Sequence, residues 1–219
     1  MSRIVLGYYD TFIFDCDGVI LNSNKIKTKA FYDTAKIFGD KSALALKNYH
    51  LLNGGISRYE KFTYLFTNIL CRPFESKEID ELLFNFSNEV KKALLTCEVA
   101  SNIDELREKT KSAKWIIVSG GDQTELREVF LKRGLDAYFD CGIFGSPDDK
   151  YEILKREKRK GNITGKSLFL GDSEYDYQVA TAEKMDFIFL SKWTEVKHWK
   201  EKFTHNVYND LADLLGLIT

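Results

Sequence analysis

Four short runs along the chain are apolar at nearly every position: TFIF at 11–14, KWIIVS at 114–119, SLFLG at 167–171 and DFIFL at 186–190. A half-buried strand alternates apolar and polar residues, whereas a run without alternation predicts a strand covered on both faces. From residue 114 onward each run is paired with a helical pattern. DQTELREVFLKRG follows the second, with Asp122 placed as an N-cap, Glu125 three residues on and Gly134 as a stop. DDKYEILKREKRKG precedes the third run, and SEYDYQVATAEKM follows it. Strand and helix in alternation predict an α/β fold with a parallel, doubly wound sheet.

About 100 residues separate the first run from the second, where a crossover needs about a dozen. The excess carries apolar residues at helical spacing in KIKTKAFYDTAKIFG, SALALKNYHLL, SRYEKFTYLFTNIL and SKEIDELLFNFSNEVKKALL. This predicts a helical insertion over residues 22–97, with 1–21 and 98–219 forming the core. Phe31, Tyr64, Phe66, Phe84 and Phe86 are expected inside the insertion. Entering just after the first strand, it would sit over the strand's carboxyl end, where open α/β sheets bind ligands.

Composition narrows the partners. With 219 residues, 44% hydrophobic and 30% charged, the chain suits one large α/β domain or a core with a smaller insertion. A formal net charge of -1 gives no overall field favouring nucleic acid or an anionic membrane surface. No stretch approaches the roughly 20 apolar residues of a membrane span. MSRIVLGYYD lacks the apolar core of a signal peptide, so the expected address is the cytoplasm. Cys16, Cys71, Cys97 and Cys141 are scattered and far from His50, His198 and His205, which points to neither zinc nor a disulfide framework. The histidines are expected to be surface or structural, and the basic run KREKRKGN (155–162) a solvated face.

The candidate chemistry begins where the first strand ends, in FDCDGVILNSN. Residues i and i+2 of a strand share a face, so Asp15 and Asp17 can point into one pocket. A D-x-D-G string alone turns up by chance in roughly one chain in twenty of this length at average residue usage. Three further features stand at or beside strand ends. VSGGD supplies Ser119, Gly120 and Gly121 before a helix, a hydroxyl and free N–H groups suited to an anion. GDSEYD supplies Asp172, with Asp176 one turn into the next helix, and GSPDDK supplies Lys150 at a helix start. In the insertion, NGGISRYEKF would bring backbone close through Gly54 and Gly55 and offer Arg58 to a substrate's anionic or hydroxyl group, with Lys61 a weaker candidate. Each has a plainer reading. Ser119 could cap the helix, Asp148 and Asp149 could be the partners of Lys150, Asp176 could be a first-turn acid, and Arg58 could be solvated.

The four motifs, in this order, resemble those of the haloacid dehalogenase superfamily in its phosphatase branch with a helical cap, which includes phosphoglycolate phosphatases and β-phosphoglucomutase. DCDGV, Ser119-Gly120, Lys150 and GDSEYD occupy the four motif positions, and the resemblance covers nearly the whole chain. It implies a Rossmann-like core with an inserted cap domain. It further implies a Mg²⁺-dependent phosphomonoester hydrolase acting on a small phosphorylated metabolite, sugar phosphates among the candidates. Asp15 would attack phosphorus and Asp17 would serve as acid and base. Ser119, the Gly120 amide and Lys150 would balance phosphate charge, with Gly121, Gly55 and Arg58 on the substrate. Mg²⁺ would be held by Asp15, the Asp17 carbonyl and Asp172, while Asp176 held Lys150 or a metal-bound water. A 2-haloacid dehalogenase needs neither Asp17 nor Asp172, and a phosphonate hydrolase lacks the second acid of D-x-D, so both fit poorly. A phosphomutase shares all four motifs, and a non-catalytic binder on the same fold is the alternative of a different class.

Overall fold

The computed structural model describes residues 4–218; residues 1–3, the start of both the first core segment and the stretch read for a leader, lie outside it, as does residue 219. Six parallel strands form one sheet: β1 (Thr11–Phe14), β2 (Lys114–Asp122), β3 (Ile143–Ser146), β4 (Ser167–Gly171), β5 (Asp186–Leu190) and β6 (Val207–Tyr208), in the order β3-β2-β1-β4-β5-β6. β1 is central, with Thr11 opposite Lys114 on one side and Ser167 on the other. The unalternating runs now have their reason. Phe12, Phe14, Leu168 and Leu170 pack into a core on one face, and Ile13, Ile116, Val118 and Phe169 into a second core on the other.

The chain winds outward through β2 and β3, then returns to the far side of β1 at β4, so the strand order reverses between β1 and β4. Helices α5 (Ile103–Lys109), α6 (Gln123–Arg133), α7 (Lys150–Arg159), α8 (Glu174–Ala182) and α9 (Trp199–Lys202) belong to this part of the chain. The Asp122 side chain accepts the Glu125 N–H at 2.9 Å at the start of α6, and Gly134 ends it with φ 65°.

Between β1 and β2 lie α1 (Asn24–Ala35), α2 (Asp40–Leu52), α3 (Arg58–Tyr64), which runs into a π turn over Leu65–Ile69, and α4 (Ser76–Leu94). Phe31, Phe62 and Phe86 pack ring to ring with centroids 4.4 to 5.7 Å apart. On α4 the buried residues Leu82, Phe86, Val90 and Leu94 recur every fourth position. Phe84, expected in this core, is instead 67% exposed, because two residues carry it about 200° round the helix from Phe86. Tyr64 is half-buried and stacks on Tyr49. The two connections to the sheet run side by side: Asn22 donates to the Glu98 carbonyl and Ala100 to that of Ile20, each at 2.9 Å. Among the described residues no helix is long and apolar enough to cross a membrane.

Candidate active site

The carboxyl ends of β1, β2 and β4 meet the inserted helices at a cleft. Asp15 and Asp17 line it from the end of β1, Gly120 and Gly121 from β2, and Asp172 from just beyond β4. A tight turn follows β1, with the Gly18 N–H donating to the Leu21 carbonyl at 2.8 Å. Gly18 sits at φ 78°, and a Cβ there would come within 2.2 Å of Asp172 Oδ2. Only glycine lets the turn pass so close to the acid that follows β4.

Lys150, at the first position of α7, reaches under this floor. Its Nζ lies 2.5 Å from Asp176 Oδ1 and 2.9 Å from Asp15 Oδ1, with the lysine 1% exposed. Asp149 instead caps α7, accepting the Glu152 N–H, and Asp148 pairs with Arg156, so neither adjacent acid takes the lysine. Burial works against the Lys150 charge, but Asp15 and Asp176 more than offset it and hold the ammonium protonated. Both oxygens of Asp176 are used, Oδ1 by Lys150 and Oδ2 by the Ser173 hydroxyl at 2.6 Å and the Ser173 N–H at 3.1 Å.

Three buried carboxylates thus share one ammonium. Burial pushes the Asp15 carboxyl up to about 7, against the pull of Lys150 and with the charges of Asp176 and Asp17 adding to it. Asp172 is also raised, by burial first and then by Asp15 and Asp176. Near neutral pH these surroundings leave Asp15 partly protonated, and more positive charge beside it would favour the carboxylate. Oxygens of Asp15, Asp172 and Asp176 lie within 4.8 Å of one another, and Asp15 Oδ1 has no aligned hydrogen-bond donor. A hard divalent cation fits both the oxygen donors and the two uncompensated negative charges.

Asp17 sits in a different setting. It takes the Ser23 hydroxyl on Oδ1 and the Lys27 ammonium on Oδ2, each at 2.5 Å. Burial alone would raise its pKa, but Lys27, followed by Ser23, holds it below the usual range. Ser23 and Lys27 belong to the start of α1, as does Asn24, whose side chain donates to Asp172 Oδ2 at 2.6 Å and to the Trp193 carbonyl at 2.9 Å. None of the three stands out in the sequence. The only signal was their position, one turn past a strand ending in two acids.

The glycines of the β2 end close against the insertion. A Cβ on Gly120 would fall 2.2 Å from the Gly55 carbonyl oxygen, and one on Gly55 would fall 3.0 Å from Ser173 Oγ. Ser119 is fully buried behind Gly120 and Gly121, its Oγ accepting the Gly121 N–H at 3.0 Å, and does not line the cleft. Arg58 does line it, yet it is not solvated. It forms a two-pronged pair with Glu125 of α6 (2.6 and 3.1 Å) and donates to Ser87 Oγ at 2.7 Å, joining the insertion to the sheet's helices. His50, expected to be surface or structural, is in the cleft wall, where its Nδ1 and Lys61 Nζ share a hydrogen bond at 2.8 Å. Burial, then Lys61 and Lys27, hold this imidazole neutral. The KREKRKGN face is laced with acids: Glu157 receives Arg156 and Lys160, and Glu183 receives Lys158.

At the sheet's reversal point, where open α/β sheets bind ligands, the fold thus gathers three buried carboxylates around a buried lysine. The chain belongs to the haloacid dehalogenase-like hydrolases, whose family model matches residues 9–182. Solved structures with the same fold include CbbY from Rhodobacter sphaeroides in complex with xylulose-(1,5)bisphosphate (TM-score 0.73, 14% identity, 96% of this chain and 100% of that one). They also include β-phosphoglucomutase from Clostridium difficile (0.69, 18%, 94% and 93%) and a haloacid dehalogenase-like family protein from Streptococcus pneumoniae (0.68, 17%, 96% and 98%). No curated protein matches the chain.

Proposed function

We propose that the protein is a Mg²⁺-dependent phosphomonoester hydrolase acting on a small phosphorylated metabolite in the cytoplasm, with residues 22–97 serving as a cap domain over the site. The observation that carries this reading is the Asp15–Lys150–Asp176 chain at the sheet's reversal point, with Asp172 beside it. Such a set suits a dianionic phosphoryl group better than a neutral ester, since it places an ammonium and a cation site next to a nucleophilic carboxylate. The xylulose bisphosphate bound by CbbY supports a sugar phosphate as one substrate class.

Asp15, Asp172 and the Asp17 carbonyl would hold the metal, which when bound neutralises charge between the attacking carboxylate and the phosphate. An Asp15 oxygen attacks phosphorus and the bond to the leaving oxygen breaks, giving an aspartyl-phosphate. Lys150 steadies Asp15, and Asp176 keeps Lys150 in place. The Gly120 and Gly121 backbone meets the phosphate, while Ser119 holds that backbone through the Gly121 N–H. Arg58 clamps the cap to α6 and Gly55 seats it on Gly120, which closes the cleft around the substrate. The leaving alkoxide takes a proton through Asp17, supplied by the Lys27 ammonium bonded to it. Asp17 then takes a proton from the water that attacks phosphorus, and Asp15 is released with inorganic phosphate.

Phosphate release from sugar phosphates, phosphoglycolate, nucleotides and p-nitrophenyl phosphate, with Mg²⁺ and with EDTA, tests the reading against Asp15→Asn. Metal-dependent release that the substitution abolishes is expected. Release that survives either EDTA or Asp15→Asn would overturn it. Turnover only with a phosphorylated activator, the phosphoryl group staying on organic product, would make the protein a mutase.

A further inference from the structure

We propose that Asn24 is a positioning residue for the metal site: its amide fixes the Asp172 carboxylate for the cation, so that metal binding and the seating of α1 stabilise each other. This rests on the reading of Asp15 and Asp172 as metal ligands and adds a member of the insertion to that site.

Asn24 begins α1, and its side chain meets Asp172, 148 residues away in sequence. Its two amide protons go to two acceptors, Asp172 Oδ2 at 2.6 Å and the Trp193 carbonyl at 2.9 Å. A carboxylate and a carbonyl only accept, so the NH₂ end of the side chain must face them. Among the described residues no other side chain donates to the Asp172 carboxylate, which is buried just beyond β4. The loop that carries Trp193 holds the backbone of Asp172 as well. The Thr194 hydroxyl donates to the Asp172 carbonyl at 2.6 Å, and the Val196 N–H donates to Thr194 Oγ1 at 3.1 Å. Gly18 gives the Asn24 bond its room, since a Cβ there would lie 2.4 Å from Asn24 Nδ2 as well as 2.2 Å from Asp172 Oδ2. The glycine after the two acids therefore clears the path between α1 and Asp172.

Charge explains why an amide serves. A lysine here would neutralise Asp172 and compete with a cation, as Lys27 neutralises Asp17. An amide orients the carboxylate and leaves its charge for the metal, and outer partners of this kind set metal affinity. Because α1 belongs to the insertion, the bond lasts only while the first turn of α1 is seated against the loop at 193–196. Thr28, one turn on, donates to Glu195 of the same loop. Whatever metal binding gains from the oriented carboxylate, the seating of α1 gains from the metal in return.

The test is calorimetric titration with Mg²⁺ in the absence of substrate, together with amide hydrogen exchange of residues 24–35 with and without the ion. Asn24→Leu, which keeps the shape and removes the donor, should weaken Mg²⁺ binding about tenfold. Thr28→Val, which removes the neighbouring tie to the loop and leaves Asp172 untouched, should weaken it far less. Mg²⁺ should slow exchange across α1 in the wild type, and Asn24→Leu should remove that slowing. Equal Mg²⁺ affinity in Asn24→Leu and wild type overturns the proposal, as does an equal loss in Thr28→Val or exchange across α1 that ignores the ion. Should Asn24→Leu fail to fold, Asn24→Ala takes its place, and exchange in the wild type alone still decides the coupling. A wild type that binds no Mg²⁺ would remove the metal reading and this proposal with it, whereas binding that Asn24→Leu leaves intact removes this proposal alone.

Discussion

Lys27 and Lys61 are both buried on the cap side, one with a carboxylate and one without, and they make different predictions. Lys27 holds Asp17 ionised and is the proton source within its reach, at 2.5 Å. Lys27→Met should therefore slow the cleavage of alkyl phosphates by about a hundredfold or more, the usual range for a lost proton transfer. It should slow p-nitrophenyl phosphate far less, because nitrophenolate leaves without a proton. Equal losses on both substrates, measured as kcat, would assign Lys27 to packing instead. Lys61 is pushed down to about 7, by burial first and then by Lys27, with Asp17 and Glu60 opposing. Above about pH 7 the unfolded chain keeps a proton on this lysine that the folded one has lost, so stability rises with pH toward about 10. Below about pH 7 both states carry the proton and the burial cost is felt in full. Lys61→Met should accordingly stabilise the protein most near pH 6, and its advantage in urea midpoint should shrink near pH 9. Parallel pH curves for the two proteins would contradict this.

At the scale of elements, the insertion is tied to the sheet by an ion pair rather than by apolar packing alone. Arg58 opens α3 and Glu125 lies in the first turn of α6, each buried, and Ser87 of α4 completes the set. Removing one partner strands the other in the interior. Arg58→Ala should cost about 3–5 kcal/mol in urea unfolding. Replacing both, as Arg58→Met with Glu125→Leu, should recover most of that stability while loosening the cap, seen as a raised KM. A double variant as unstable as the single one would show that the pair does not act as a unit. This clamp was not readable from the sequence, where an arginine after a Gly-Gly turn looks the same whether it meets substrate, solvent or a glutamate 67 residues away.

For the molecule as a whole, the sequence was most informative where physics is local and least where it is not. The runs at 11–14, 167–171 and 186–190 match β1, β4 and β5 residue for residue, because burial on both faces leaves an unbroken apolar string. β3 and β6 were missed: the first is a four-residue strand broken by Gly145, the second only two residues at the sheet's edge. Both depend on a neighbouring strand already in place. The acids of the site were legible because chemistry fixes their spacing to strand ends. Ser23, Asn24, Lys27 and His50 were not, because each is made functional by a contact across the fold.

If Asp15 is the nucleophile, it carries the phosphoryl group during turnover, and a mass reads that directly. Protein mixed with excess p-nitrophenyl phosphate and Mg²⁺ is quenched in acid within the first turnovers, digested and mapped. One phosphoryl group is expected on the peptide carrying Asp15, absent in Asp15→Asn. Phosphate released in those same turnovers, with that peptide unmodified throughout, would mean that water attacks the substrate directly and would contradict it.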